Sequence, residues 1–182
     1  MATATATARA ACRNPPGVPA SAWCAWPARP FHDRTSIFAA QEHIDALIRV
    51  DPTDVRALVE RPADQDPEAW QFEHLRIVCR QLTGLVIRLS GVCRRDTCPD
   101  MKALEWLYLC AAHTSPQSCP AIDYIVHTLD SATELLNSPK LFPSRVAIAP
   151  ASMKQLQNIA RRLYRIFAHT WFHHRDVFGA FE

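Results

Sequence analysis

Two groups of potential metal ligands, far apart in the sequence, place the strongest constraint on how this chain folds. Cys93 and Cys98 form a C-x4-C pair, and His169, His173 and His174 follow much later in the chain. Tetrahedral zinc takes four thiolate or imidazole ligands, often as two short-range pairs that the fold brings together. We therefore expect one structural zinc ion to join the middle of the chain to its last helix.

The spacing of the histidines leaves the fourth ligand open. On an uninterrupted helix, His169 and His173 share a face, whereas His174 points away by about 140°. Helix geometry alone therefore favours His173. Nothing in the pattern indicates an open coordination position, so we expect a structural site and not a catalytic one.

A second group of similar residues consists of Cys110, His113 and Cys119. Its C-x2-H-x5-C spacing has no clear fourth partner. Because Cys110 follows an apolar run, we interpret it as a buried structural cysteine and not as a metal ligand.

Length and cysteine usage fit a single domain in a reducing compartment. The chain has 182 residues, which is enough for one sizeable core. Its seven cysteines are an odd number, and no continuous apolar segment near the start predicts a secretory signal. Paired cysteines are therefore interpreted as metal ligands before disulfides. No apolar run is long enough to predict a transmembrane helix.

Charge is distributed unevenly along the chain. The segment from Glu42 to Glu73 contains nine acidic side chains and three arginines, a net charge of about −6. The segment from Lys140 to Glu182 contains seven basic and two acidic side chains, a net charge of about +5. One acidic and one basic surface suit the binding of proteins or a phosphate group better than the binding of nucleic acid.

The first part of the chain differs in composition from the rest. Residues 1–24 are rich in Ala, Thr and Pro and are predicted to be a disordered tail, while 25–182 form the domain. An organelle transit peptide is the alternative for this acid-poor tail. Trp23 and Trp26 predict an extended arm that docks its aromatic rings on the domain.

Apolar periodicity predicts a mainly helical domain. We expect helices from Ser36 to about Arg49, over 53–60, from an Asp66 cap onward, over about 122–136, and from a Ser152 cap to the histidines. The segment from Leu104 to Cys110 is either a strand or a buried turn of helix. The long helix after Asp66 carries a core-facing stripe made of Leu75, Val78, Leu82, Leu85 and Leu89.

Three arginines on the last helix form a candidate anion site. Arg161, Arg162 and Arg165 lie along one helical edge with no acidic residue three or four positions away. Guanidinium groups so arranged suit a phosphate or an acidic segment, and a solvated polar face is the alternative. No P-loop, nucleophile elbow or zinc-protease motif is present, so an enzyme is not expected.

The assembled motifs resemble the Mob/phocein family of kinase-associated adaptors, and its phocein branch in particular. The resemblance covers roughly residues 25–182. It rests on Trp26-Pro27, EHLRIVC from Glu73, C-x4-C from Cys93, LCAAHTSPQSCPAIDY from Leu109, HTLDSATELLNSPKLFPSRV from His127 and RRLYRIFAHTWFHHRDVF from Arg161.

The resemblance implies a four-helix-bundle core stapled by one structural zinc, with an extended N-terminal arm. The family motif, C-x4-C with H-x4-H, implies Cys93, Cys98, His169 and His174 as zinc ligands. His174 then replaces His173, so either the last helix must end or distort near it, or the zinc must lie where two successive helical turns diverge.

The resemblance also implies two binding surfaces. The family's phosphopeptide-binding cluster falls on Arg161, Arg162 and Arg165. The acidic start of the long helix is similar in position to a kinase-docking surface, and it consists of Asp64, Asp66, Glu68 and Trp70.

The implied function is that of a non-catalytic adaptor in a striatin-type phosphatase–kinase scaffold. A direct co-activator of an AGC-type (NDR/LATS-like) Ser/Thr kinase is one alternative, and a zinc hydrolase is another. The implied location is cytoplasmic, with perinuclear or Golgi association and peripheral membrane contact as variants of it. Family members continue beyond the histidine motif, so the domain is expected to be incomplete at its C-terminal side.

Overall fold

The computed structural model describes residues 17, 19, 36–63 and 65–181. The chain divides into two units, Met1–Pro30 and Phe31–Glu182. The predicted tail, apart from residues 17 and 19, and the arm with Trp23 and Trp26 lie outside the described residues. The described residues from 36 onward all belong to the second unit.

Helices make up most of the described residues, which confirms the mainly helical prediction. In chain order they are α1 (Ala39–Val50), α2 (Val55–Val59), α3 (Pro67–Leu89), α4 (Ala121–Leu136), α5 (Met153–His173) and α6 (Arg175–Phe181). Between α3 and α4, β1 (Lys102–Ala103) and β2 (Trp106–Leu107) pair antiparallel as a short hairpin. Of the two alternatives for the segment from Leu104 to Cys110, the strand is therefore the correct one, although it covers only Trp106–Leu107. None of the described helices has both the length and the apolar character needed to cross a lipid bilayer.

The three long helices α3, α4 and α5 pack against one another around the main core. Leu82 and Leu85 of α3, Ile125 of α4 and Ile166 of α5 are completely buried there. Leu75 and Val78 of the predicted α3 stripe are only half-buried, so the stripe is fully covered only toward its C-terminal end. Helix α1 packs on α3, and α6 packs on α3 and α5.

The start of α3 forms as its sequence predicts. The Asp66 carboxylate accepts a hydrogen bond of 2.7 Å from the Ala69 N–H, and Pro67 occupies the first helical position. This satisfies one of the backbone donors that the first turn leaves without a partner.

Helix α5 begins directly after Ser152, as predicted, but neither Ser36 nor Ser152 caps a helix with its side chain. Helix α1 begins at Ala39 after Phe38, and the Ser152 hydroxyl donates to the Leu141 carbonyl. A side-chain cap requires extended backbone at the cap residue, whereas Ser152 has helical dihedrals, φ −81° and ψ −16°.

A buried ion pair attaches the proline-rich loop between α4 and α5 to α3. The Arg145 guanidinium lies 2.6 Å from the carboxylate of Glu73, whose side chain is 1% exposed. Burial raises the pKa of Glu73, and Arg145 opposes that shift. The pair fixes the loop that leads into α5, the helix that carries the histidines and arginines.

Candidate metal centre and basic surface

The loop after α3 presents Cys93 and Cys98 from a compact turn. The Cys93 N–H donates to the Leu89 carbonyl, and the Cys98 N–H donates to the Arg94 carbonyl, both at 2.8 Å. The Thr97 hydroxyl bridges the turn by bonding the Val92 carbonyl at 2.9 Å. These local bonds direct both thiols toward the C-terminal end of α5.

The structure brings together the four residues of the C-x4-C and H-x4-H motifs. Cys93 Sγ lies 3.5 Å from His169 Nε2, and Cys98 Sγ lies 3.3 Å from His174 Nε2. All four ligand atoms lie within 4.8 Å of one another. Around tetrahedral zinc, bonds of about 2.3 Å to sulfur and 2.0–2.1 Å to nitrogen separate neighbouring S and N ligands by about 3.5 Å. The donor set and its spacing therefore fit such a site.

A backbone carbonyl orients His169. Its Nδ1 lies 2.7 Å from the carbonyl oxygen of Lys102, at the start of β1. A carbonyl only accepts, so Nδ1 carries the proton and Nε2 keeps a free lone pair directed at the thiols. Metal-ligating histidines are commonly fixed by a bond of this kind.

The end of α5 explains why His174 joins the cluster. The helix ends at His173, and His174 leaves the helical conformation with φ −140° and ψ 53°. Helix α6 then begins at Arg175. The preference for His173 assumes an uninterrupted helix, and that assumption is wrong here. His173 is exposed, with its ring stacked 4.9 Å from that of His169.

Burial favours the uncharged forms of His169, His174 and Cys93. It lowers the pKa of His169 to about 4, and burial together with the neighbouring Cys98 raises the pKa of Cys93. Neutral imidazole is the form that binds a metal, whereas a thiol must first lose its proton. A divalent cation would therefore release protons as it binds here.

A second Cys2His2 cluster lies where the loop between β2 and α4 meets α4. The ligand atoms of Cys110, His113, Cys119 and His127 lie within 4.8 Å of one another. Sequence reasoning missed His127, which lies on α4, eight positions after Cys119. Two turns of helix separate it from the other three residues, and only the fold reveals that it faces them.

The arginines of α5 lie beside this second cluster. Arg162 and Arg165 line one small surface cavity together with Tyr124, Thr128 and Ser131 of α4, while Arg161 is exposed outside it. We call this cavity the arginine cavity.

Two tyrosines hold Arg165 in place. Its guanidinium donates to the Tyr124 hydroxyl at 2.7 Å and lies 4.7 Å from the ring centroid of Tyr108. No carboxylate among the described residues pairs with Arg161, Arg162 or Arg165. The cavity therefore carries positive charge that no described acidic side chain neutralises.

The sequence matches the family model described as the Mob1/phocein family over residues 47–182. The chain belongs to the Mob1/phocein family. It is 47% identical over 171 residues to MOB kinase activator-like 4 of Drosophila melanogaster and equally so to MOB-like protein phocein of Caenorhabditis elegans, covering 93% of this chain and 77% of each relative. Maintenance of ploidy protein mob1 of Schizosaccharomyces pombe is 31% identical over 130 residues, 68% of this chain and 62% of that protein.

The acidic start of α3 is the remaining predicted surface of this Mob1/phocein chain. Asp64 lies outside the described residues, Asp66 caps the helix, and Glu68 is half-buried. Trp70 is only 5% exposed, and its indole N–H donates to the Val59 carbonyl at 3.3 Å. One edge of the indole borders a largely apolar cavity of about 420 Å³ between α3 and α5. Partner docking at this surface stays a prediction.

Proposed function

We propose that this Mob1/phocein protein is a non-catalytic adaptor that binds phosphorylated protein segments and assembles into a striatin-type phosphatase–kinase scaffold. In this proposal one zinc ion is held by Cys93, Cys98, His169 and His174. The ion supplies a structural cross-link between the loop after α3 and the end of α5. Family membership and the donor set of this cluster support the proposal.

The arginine cavity is the observation that carries the phosphate-binding role. Arg162 and Arg165 converge on one concave site, and Arg161 adds positive charge nearby. Guanidinium groups bind phosphate through charge-assisted hydrogen bonds in a fixed, forked geometry. Tyr108 and Tyr124 already orient Arg165, so this side chain loses less conformational entropy when it binds a phosphate.

Reversing the charge of Arg162 tests this role. We expect Arg162→Glu to weaken binding of a phosphothreonine peptide by about tenfold or more, because a charge-assisted hydrogen bond contributes about 1.5–3 kcal/mol. Fluorescence anisotropy with the phosphorylated peptide and its unphosphorylated counterpart measures the effect. The triple reversal of Arg161, Arg162 and Arg165 should abolish the preference for the phosphorylated form while zinc content stays unchanged.

Lys154→Glu supplies the matched control, since it changes net charge equally on an exposed position of the same helix. It should leave peptide affinity within about twofold, as expected of a distant surface charge. Equal losses in the two variants would indicate a general charge effect and would contradict a specific phosphate site.

Direct co-activation of an AGC-type Ser/Thr kinase is the second candidate. Names of relatives favour it, because MOB kinase activator-like 4 and MOB kinase activator 3B of Homo sapiens are both named as kinase activators. The acidic Trp70 surface would be the contact in that case. An unchanged kinase rate on addition of the purified protein argues against this candidate.

A further inference from the structure

The second cluster has the composition and spacing of a complete metal site. Cys110 Sγ lies 3.5 Å from His127 Nδ1, and Cys119 Sγ lies 3.0 Å from His113 Nε2. The two imidazole rings approach each other edge-to-face, with centroids 5.1 Å apart. Two thiols and two imidazoles thus converge, each thiol beside a ring nitrogen, which is the ligand set of a closed structural zinc site.

The backbone around these residues holds the cluster in place. Cys110 and Gln117 exchange two backbone hydrogen bonds, of 2.8 and 3.2 Å, which close the loop that carries His113. Cys119 lies two residues before α4, and His127 lies in the second turn of that helix. Three ligands therefore come from a pinned loop and the fourth from a rigid helix.

We propose that Cys110, His113, Cys119 and His127 bind a second zinc ion, which fastens the loop between β2 and α4 to α4 itself. Apart from the Cys110–Gln117 backbone pair and the bond from the Ser118 hydroxyl to Asp100, few contacts hold this loop. Among residues 111–118 all but the half-buried His113 are exposed, so hydrophobic burial contributes little to its stability. Small or loop-rich segments of this kind are commonly stabilised by a metal or a disulfide.

Two simpler explanations of the second cluster account for fewer of the contacts among its four side chains. Independent burial of the cysteines explains Cys110 and Cys119, which are 2% and 6% exposed, but not the two imidazoles that meet them. A disulfide between Cys110 and Cys119 would likewise leave both imidazoles without a role. Coordination of one ion uses all four side chains.

Zinc content of the full chain, purified under reducing conditions, tests the proposal. We expect two zinc ions per chain by elemental mass spectrometry, one in each cluster. Cys110→Ser and His127→Gln should each reduce this to one. Cys79→Ser is the matched control, because Cys79 is a buried free cysteine that belongs to neither cluster, and it should retain both ions.

Replacement of zinc by Co²⁺ gives a readout that needs no variant. Two Cys2His2 sites should give thiolate-to-cobalt absorption that rises until two equivalents have been added. Saturation at one equivalent in the wild-type protein would overturn the proposal even if the variants failed to fold. Unchanged zinc content in a folded Cys110→Ser protein would also overturn it. The same holds if intact-protein mass spectrometry shows the loss of two hydrogens from a Cys110–Cys119 disulfide.

The outcome is independent of the proposed adaptor role. Absence of the second ion leaves the first cluster and the arginines as they are, whereas failure of phosphopeptide binding leaves the metal count unchanged. Cys110 and His127 also line the arginine cavity, so the second ion would lie directly beside Arg162 and Arg165.

Discussion

At the scale of single residues, the direction of each ring nitrogen decides what the histidines can do. His169 is fully buried, with one nitrogen committed to the Lys102 carbonyl and the other facing Cys93. His173 and His174 are adjacent in sequence, but only His174 leaves the helical conformation and faces Cys98. The change of backbone conformation at His174 thus places that residue in the cluster and leaves His173 on the surface.

Substitution of these two neighbours separates their roles. Under the proposed zinc assignment, His174→Gln should lose the ion of the first cluster, whereas His173→Gln should retain it. The stability lost in His174→Gln is a large part of the contribution of about 10–16 kcal/mol that structural zinc can make. Elemental analysis and thermal unfolding of both proteins measure the difference. Equal zinc content in the two variants would show that the ligand assignment is wrong.

At the scale of secondary-structure elements, helix ends control the positions of the functional groups. The Asp66 cap and Pro67 set where α3 begins, and its last residues lead directly into the turn with Cys93 and Cys98. The end of α5 at His173 has the corresponding role for the histidines. Because a helix rises about 1.5 Å per residue, a shift of either end would displace the ligands by several ångströms.

Removal of the α3 cap is expected to destabilise the protein without touching either metal cluster. Asp66→Ala should cost about 1 kcal/mol, the usual value for a lost N-cap. Asp54→Ala is the control, since Asp54 caps the five-residue α2, which contains no buried residue, and its loss should cost less than that of the Asp66 cap. Urea unfolding of both variants tests the comparison. A larger loss of unfolding free energy in Asp54→Ala than in Asp66→Ala would contradict the view that the α3 cap contributes more to stability than the α2 cap.

At the scale of the whole molecule, the two clusters lie on connected parts of the backbone. The Cys98 carbonyl accepts a hydrogen bond of 2.9 Å from the N–H of Ala121, the first residue of α4. The Ser118 hydroxyl also bonds the Asp100 carboxylate. The loop after α3, the loop before α4 and the end of α5 therefore form one connected region next to the arginine cavity.

The stability of this region should depend on pH through His169. Its pKa is lowered by burial to about 4, from about 6.5 in an unfolded chain, so the folded state favours the neutral ring. Stability is fully present above pH 6.5 and is lost as pH falls toward 4, by roughly 3 kcal/mol in total. Competition between protons and zinc for the same ligands acts in the same direction.

Urea unfolding between pH 7.5 and 4.5, at constant zinc concentration, measures this dependence. His173→Gln serves as the control, because this exposed ring makes only a minor contribution to the lowered pKa of His169, so its profile should stay close to that of the wild type. A profile that stays flat below pH 6.5 would contradict the burial argument for His169.

Local patterns determined much of the fold from the sequence alone. The apolar periodicity, the Asp66-Pro67 start and the spacing of the cysteines and arginines each depend on residues within a few positions of one another. These features identified the helical class, the start of α3, the four residues of the first cluster through the family motif, and the basic edge of α5.

Only the tertiary structure decided the remaining features, because they depend on packing between distant segments. Helical dihedrals at Ser152 and its bond to Leu141 prevent a cap that the local sequence predicts. Trp70 is buried against Ala40 and Ile44 of α1, and α2 provides the acceptor for its indole. In the sequence, His127 looks like an ordinary polar position of α4. In the structure, the loop before the helix folds back on it. The second cluster forms because the fold brings Cys110 and Cys119 to His127. No local sequence pattern predicts that packing.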